Sequence, residues 1–146
     1  LKAIDRRMAA LIDECGWRES YQHCLSIPGI GPSNATALVT AYHRGAFASQ
    51  DAFIAYLGMD VRMRESGTFR GRRKLSKKGP SELRRLLYCA AVAARRHEPF
   101  AKYRQRQIDK GLPKIAANCV LARKIARLAF TLMTREEHYQ ERPAMG

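Results

Sequence analysis

The chain has 146 residues, 46% of them hydrophobic, which suits one domain with an apolar core and leaves little room for a second. Lys and Arg total 27 against 13 Asp and Glu, and the resulting formal charge of +14 is a self-repelling excess that points to a polyanionic partner. No apolar run reaches the ~18 residues of a membrane span, and Lys2, Asp5, Arg6, Arg7, Asp13 and Glu14 break up the N-terminus, which argues against a signal peptide. A membrane partner is disfavoured, nucleic acid is favoured, and a cytoplasmic location is expected.

Leu1, Ile4, Met8, Leu11 and Cys15 recur at steps of three and four, predicting an amphipathic helix or the end of a coiled coil that stops at Gly16. The start at Leu1, inside a helical pattern, suggests a piece of a longer protein. A short helix over 20–27 leads into Pro28-Gly29-Ile30-Gly31-Pro32, a turn that its glycines and prolines force out of helix. Pro32 or Ser33 opens the next helix, to about Tyr42, and Ser49 is the N-cap of a helix over 50–57 that Gly58 ends.

Residues 60–80 differ in kind. They hold Arg62, Arg64, Arg70, Arg72, Arg73, Lys74, Lys77 and Lys78 against Asp60 and Glu65, punctuated by Gly67, Gly71, Gly79 and Pro80. No helical period runs through them, although a short hairpin is compatible with the pattern, so a long exposed loop is predicted. Ser81 caps a helix carrying Leu83, Leu87, Ala90, Ala91 and Ala94 on one face and ending near His97, before Pro99. A further helix covers about 100–110. The last runs from Lys114 to Thr134 with Ile115, Cys119, Ala122, Ile125, Ala126, Ala129 and Met133 as its core stripe and Arg123, Lys124 and Arg127 on another face. The tail from Glu136 reads as loose. The fold class expected is all-α: a compact multi-helix domain with a helix-hairpin-helix-like turn and a long basic loop.

Cys15, Cys24, Cys89 and Cys119 form no C-x-x-C pair and are expected to be reduced and mostly buried. His23, His43, His97 and His138 show no ligand spacing, so no metal bound by these residues is expected.

Three features bear on chemistry. The turn Gly29-Ile30-Gly31 resembles the helix-hairpin-helix motif, in which backbone N–H groups at a helix start meet a phosphate, with Ser33 and Asn34 adding side-chain donors. The glycines would let a nucleic-acid backbone approach. The competing reading is a turn that only reverses the chain. In the basic segment, Arg64, Arg70, Arg72, Arg73, Lys74, Lys77 and Lys78 would release counterions on meeting phosphates, and Phe69 is a potential stacker. The competing reading is a solvated charged face. Ser66, in Glu65-Ser66-Gly67, has no triad of obvious spacing, but Arg64, Arg70, Arg72 and Arg73 around it suit the positioning and charge neutralisation that phosphoryl transfer needs.

Leu25-Ser26-Ile27-Pro28-Gly29-Ile30-Gly31, Phe53-Ile54-Ala55-Tyr56-Leu57-Gly58, Glu65-Ser66-Gly67, Leu75-Ser76-Lys77-Lys78-Gly79 and Leu83-Arg84-Arg85-Leu86-Leu87-Tyr88 follow one another in an order that resembles the C-terminal transposase domain of the insertion-sequence 110/116/902 family, relatives of the pilin-gene DNA invertases. The resemblance runs from about Leu25 to Thr134. It implies the end of a coiled-coil or linker helix over 1–20, the helical transposase domain over 21–135 and a polar tail over 136–146. It also implies that Ser66 is the nucleophile of a transposase or site-specific recombinase acting on DNA by phosphoryl transfer. The family pairs this domain with an N-terminal RuvC-like domain whose acidic residues hold magnesium, uses an element-encoded guide RNA and works as a homo-oligomer. No such acidic domain is recognisable in these residues. The chain alone is therefore expected to need no cofactor and to bind nucleic acid without recombining it, in a bacterial cytoplasm. A non-catalytic helix-hairpin-helix DNA-binding module and a structured-RNA-binding module remain as alternatives.

Overall fold

In the computed structural model, residues 2–59, 61–63, 73–75 and 81–140 are described. They form an all-α arrangement with one short antiparallel ladder. In chain order the elements are α1 (Lys2–Glu14), α2 (Arg18–Leu25), α3 (Pro32–Arg44), α4 (Gln50–Tyr56), β1 (Val61–Met63), β2 (Arg73–Leu75), α5 (Ser81–Ala94), α6 (Glu98–Asp109) and α7 (Lys114–Arg135).

The boundaries have local causes. Gly16 ends α1 in the left-handed region at φ +77, where L side chains are strained. Pro32 opens α3 directly after Gly31, because a proline at the first helical position loses no hydrogen bond. Ser49 is extended and its Oγ accepts from the Ala52 N–H at 3.1 Å, so the predicted cap of α4 forms. Pro99 sits within the first turn of α6, which starts slightly earlier than the apolar pattern suggested.

The core is organised around α7, which packs against α2, α3, α4, α5 and α6. It buries Leu121, Ile125, Ala126, Ala129, Phe130 and Met133 among Phe53, Leu57, Leu87 and Phe100. Each large side chain taken fully from water contributes about 1.5–3 kcal/mol. At one end Tyr42, Phe47, Phe53 and Phe130 form an aromatic cluster with centroid separations of 5.1–6.5 Å.

Three expectations are corrected. On α1 the inward face is formed by Ile12 and Ala9, whereas Ile4 (60% exposed), Leu11 and Cys15 of the predicted stripe face away from the domain. Ile12 belongs to the core and α1 packs on α2 and α3, so the helix is turned with that face inward. On α7, Ile115 is 70% exposed and Cys119 half-buried, while Asn118 and Leu121 point inward. The first turns of α7 are turned so that Asn118 meets α5 and α6. Of the cysteines only Cys24 is buried, and burial pushes its thiol up to about 12; Cys15 and Cys89 are exposed.

The start of the polar tail is held in place. Glu136 caps α7 in the left-handed region, the Tyr139 N–H donates to Ser26 Oγ at 2.8 Å, and the Tyr139 ring stacks on Phe100 at 5.8 Å. Residues 141–146 lie outside the described residues. No described helix is long and apolar enough to cross a membrane.

Candidate nucleic-acid interface

The turn between α2 and α3 begins where the Ile27 N–H bonds to Cys24 O and the Ile30 N–H returns to Ile27 O, both at 3.1 Å. Ile30 is buried in the core, so the apolar residue between the glycines anchors the turn and has no free amide. Gly29 is left-handed at φ +91. A Cβ there would stand 2.6 Å from Ala90 O and 2.7 Å from Ala94 Cβ. Its lack of a side chain is thus required by the close approach of α5, not by a ligand. Gly31 is different: its φ is −98 and nothing stands within 4 Å of where a Cβ would be.

Beyond Gly31 the start of α3 carries unpaired donors. The amides of Gly31, Ser33 and Asn34 have no backbone acceptor among the described residues, and the helix dipole adds positive potential there. Ser33 is exposed. Asn34 is buried, and its Oδ1 has no partner among the described residues. Of the five residues assigned to this turn, Gly31 and Ser33 therefore present donors outward, the side chains of Ile30 and Asn34 are buried, and half-buried Gly29 turns its Cβ side against α5.

The basic segment enters the structure through its ladder. β1 and β2 are antiparallel, pairing Val61 with Leu75, Arg62 with Lys74 and Met63 with Arg73. The compatible hairpin thus forms, and it places Arg73 and Lys74 of the predicted phosphate set on β2. Ser66, Arg64, Arg70 and Arg72 fall in sequence between the two strands, and Lys77 and Lys78 between β2 and α5; all six lie outside the described residues.

A second concentration of positive charge was not singled out as a site in the sequence. From Glu98 to Arg135, α6 and α7 carry Lys102, Arg104, Arg106, Lys110, Lys114, Arg123, Lys124, Arg127 and Arg135 against Glu98 and Asp109. Several of these are committed to the fold: Arg127 pairs with Asp51 at 2.7 Å and with Gln50 at 3.0 Å, and Lys102 pairs with Glu98 at 2.9 Å. Lys124 Nζ lies 4.4 Å from the Tyr103 ring centroid, a cation–π contact between the two helices. Beside it, Arg104 Nε donates to Asn118 Oδ1 at 2.7 Å, and Asn118 Nδ2 donates to Tyr88 Oη at 3.2 Å. This Arg104–Asn118–Tyr88 chain joins α6, α7 and α5. Its one sequence signal was the misfit of Asn118, a polar residue at helical spacing with the buried Leu121, Ala122 and Ile125.

Comparison with known proteins gives the class and then the family. A family model described as the transposase IS116/IS110/IS902 family matches residues 21–105, from α2 into α6. The chain belongs to this family of insertion-sequence transposases. It is 34% identical over 123 residues to the transposase for insertion sequence element IS1328 of Yersinia enterocolitica, covering 80% of this chain and 36% of that protein. It is 32% identical over 124 residues to a probable family 20 transposase of Pseudomonas aeruginosa, covering 82% of this chain and 37% of the relative. The chain thus spans little more than a third of the length of these relatives.

Proposed function

We propose that this chain is the DNA-binding, serine-bearing C-terminal domain of a transposase, with Ser66 as the nucleophile. The observation that carries this reading is the family match over residues 21–105, which contains the Glu65-Ser66-Gly67 motif together with the glycine turn. Ser66 Oγ attacks a phosphorus of the DNA backbone; the Oγ–P bond forms, the serine O–H bond and the P–O bond to the departing DNA oxygen break, and the proton released by the serine ends on that oxygen, which leaves as a hydroxyl. Attack by another DNA hydroxyl on the phosphoserine link reverses the step and frees the serine. Arg64, Arg70, Arg72 and Arg73 neutralise charge on the phosphate, each guanidinium matching two oxygens. Gly31 and Ser33 position the duplex through its backbone without reading sequence.

Magnesium in such an enzyme belongs to a RuvC-like domain elsewhere in the protein. Among the described residues of this chain no three His, Cys, Asp or Glu side chains gather into a group that could hold a metal ion. The guide RNA, the RuvC-like domain, assembly into a homo-oligomer and a bacterial cytoplasmic setting are parts of the same proposal.

The test is Ser66→Ala in the full-length transposase. Recombination should fall by at least about 10³-fold while DNA binding persists, because removing a nucleophile leaves binding and electrostatic stabilisation intact. Unchanged recombination overturns the assignment. The chain of 146 residues alone should bind DNA without exchanging strands, and metal-dependent strand exchange by it would contradict that.

A further inference from the structure

The Arg104–Asn118–Tyr88 chain is not accounted for by the glycine turn or by the basic segment. Asn118 is only 5% exposed and lies among Ala117, Leu121 and Ala122. Burying an amide is costly unless both of its ends are paired, and here both are. Stability alone does not call for such a group, since buried polar contacts are often replaceable by apolar side chains without loss. What the chain does achieve is to hold a guanidinium still. Arg104 is half-buried and held through Nε, and its Nη groups have no acceptor among the described residues.

The acidic residues of α5 and α6 are engaged elsewhere. Glu98 is paired with Lys102, Asp109 accepts from Gln105 at 2.9 Å, and Glu82 is paired with Arg85. A fixed guanidinium fork with no carboxylate partner among the described residues, in a hairpin with nine basic and two acidic residues, is a receptor for a doubly coordinating oxyanion. Tyr88 lies one helical turn beyond Arg84 on α5, the helix that follows the basic segment in sequence.

We propose that Arg104, held in place by Asn118 and Tyr88, binds a phosphodiester of nucleic acid at a site built from α5, α6 and α7, apart in sequence from residues 60–80. Arg104 makes the contact; Asn118 and Tyr88 are positioning residues. The proposal rests on the nucleic-acid-binding reading above and extends it to a site outside that reading.

The test uses the chain with a random-sequence DNA duplex and with a hairpin RNA of matched length, following anisotropy from about 50 to 200 mM salt. Each phosphate contact contributes about 0.9 to the slope of log K against log salt on duplex DNA, so Arg104→Ala should lower the slope by about 0.9 and weaken binding about eightfold near 0.1 M salt. Asn118→Asp should do the same with Arg104 still present, because a carboxylate at that position pairs with the guanidinium. Arg104→Lys should keep most of the slope. Loss on one probe alone identifies which nucleic acid the site takes, and either result supports the proposal. Wild-type binding with unchanged slope and affinity in Arg104→Ala or in Asn118→Asp overturns it while leaving the DNA-binding reading intact. Failure of the wild type to bind either probe overturns both. Should Arg104→Ala melt early, Asn118→Asp against Arg104→Lys decides the matter, since both keep a polar pair between positions 104 and 118.

Discussion

The turn between α2 and α3 and the hairpin of α6 and α7 both present hydrogen-bond donors beside positive potential, and they are built in opposite ways. At the turn the donors are backbone amides, exposed because a proline and a helix start leave them without acceptors. The glycine that shapes the turn, Gly29, is spent on packing against α5. In the hairpin the donor is a side chain, Arg104 of α6, and what fixes it is the buried amide of Asn118 on α7, itself bonded to Tyr88 of α5. Backbone donors need only local geometry. A side-chain donor needs tertiary support. The two regions should therefore fail differently when altered.

The sharpest break is expected at Gly29. In Gly29→Ala the new Cβ meets Ala90 O, Ala94 Cβ and Ala94 N at 2.6, 2.7 and 2.8 Å, two of them backbone atoms of α5, at a φ that L residues avoid. Left-handed strain and overpacking together should cost about 3 kcal/mol, a fall in Tm of roughly 10 °C by circular dichroism. A melting point within a degree or two of wild type would show that α5 yields easily and that the glycine serves something else. Because Gly29 acts through α5, the loss should extend to the whole domain rather than stay in the turn.

That result bears on what could be read from sequence. The turn was legible because Pro28-Gly29-Ile30-Gly31-Pro32 is a local pattern, and so were the Ser49 cap and most helix limits. What Gly29 touches was not legible, because Ala90 and Ala94 lie some sixty residues away in sequence. The same holds for Arg104. Nothing local distinguishes it from Arg106, and only the turn of α7 that brings Asn118 inward gives it a partner. The α7 stripe went astray at Ile115 and Cys119 for that reason: hydrophobic periodicity assigns apolar residues to the core and cannot anticipate a paired amide replacing them. Ser66 depended on motif resemblance alone.

Acid should weaken the turn side first. His23, on α2, is driven below its ordinary value of 6.5 by burial and then by His138 beside it, with Glu19 and Glu136 opposing. Its neutral form is favoured in the folded chain, so the unfolded chain binds more protons as pH falls through 6.5, and stability falls with it. His43, also lowered by burial, acts in the same direction. Melting measured from about pH 7.5 to about pH 5 should show a falling Tm, and His23→Gln should remove part of that fall. An unaltered pH slope in the variant would mean that the His23–His138 contact carries none of it.

The smallest effects on folding are expected where each region is open, and they separate support from contact. Gly31→Ala adds a Cβ with nothing within 4 Å at an ordinary φ, and Ile115→Ser alters a side chain already 70% exposed on α7. Both should stay within about 0.5 kcal/mol of wild type in denaturant unfolding. Nucleic-acid binding then distinguishes the two. Gly31 stands directly before the unpaired amides of α3, so a methyl group there should hinder a phosphate that approaches them and weaken DNA binding, whereas Ile115→Ser should leave it unchanged. If Gly31→Ala binds DNA as tightly as wild type, the amides at the start of α3 meet no phosphate. The turn is then purely a packing device, and the charge of the hairpin and of the basic segment must account for the affinity.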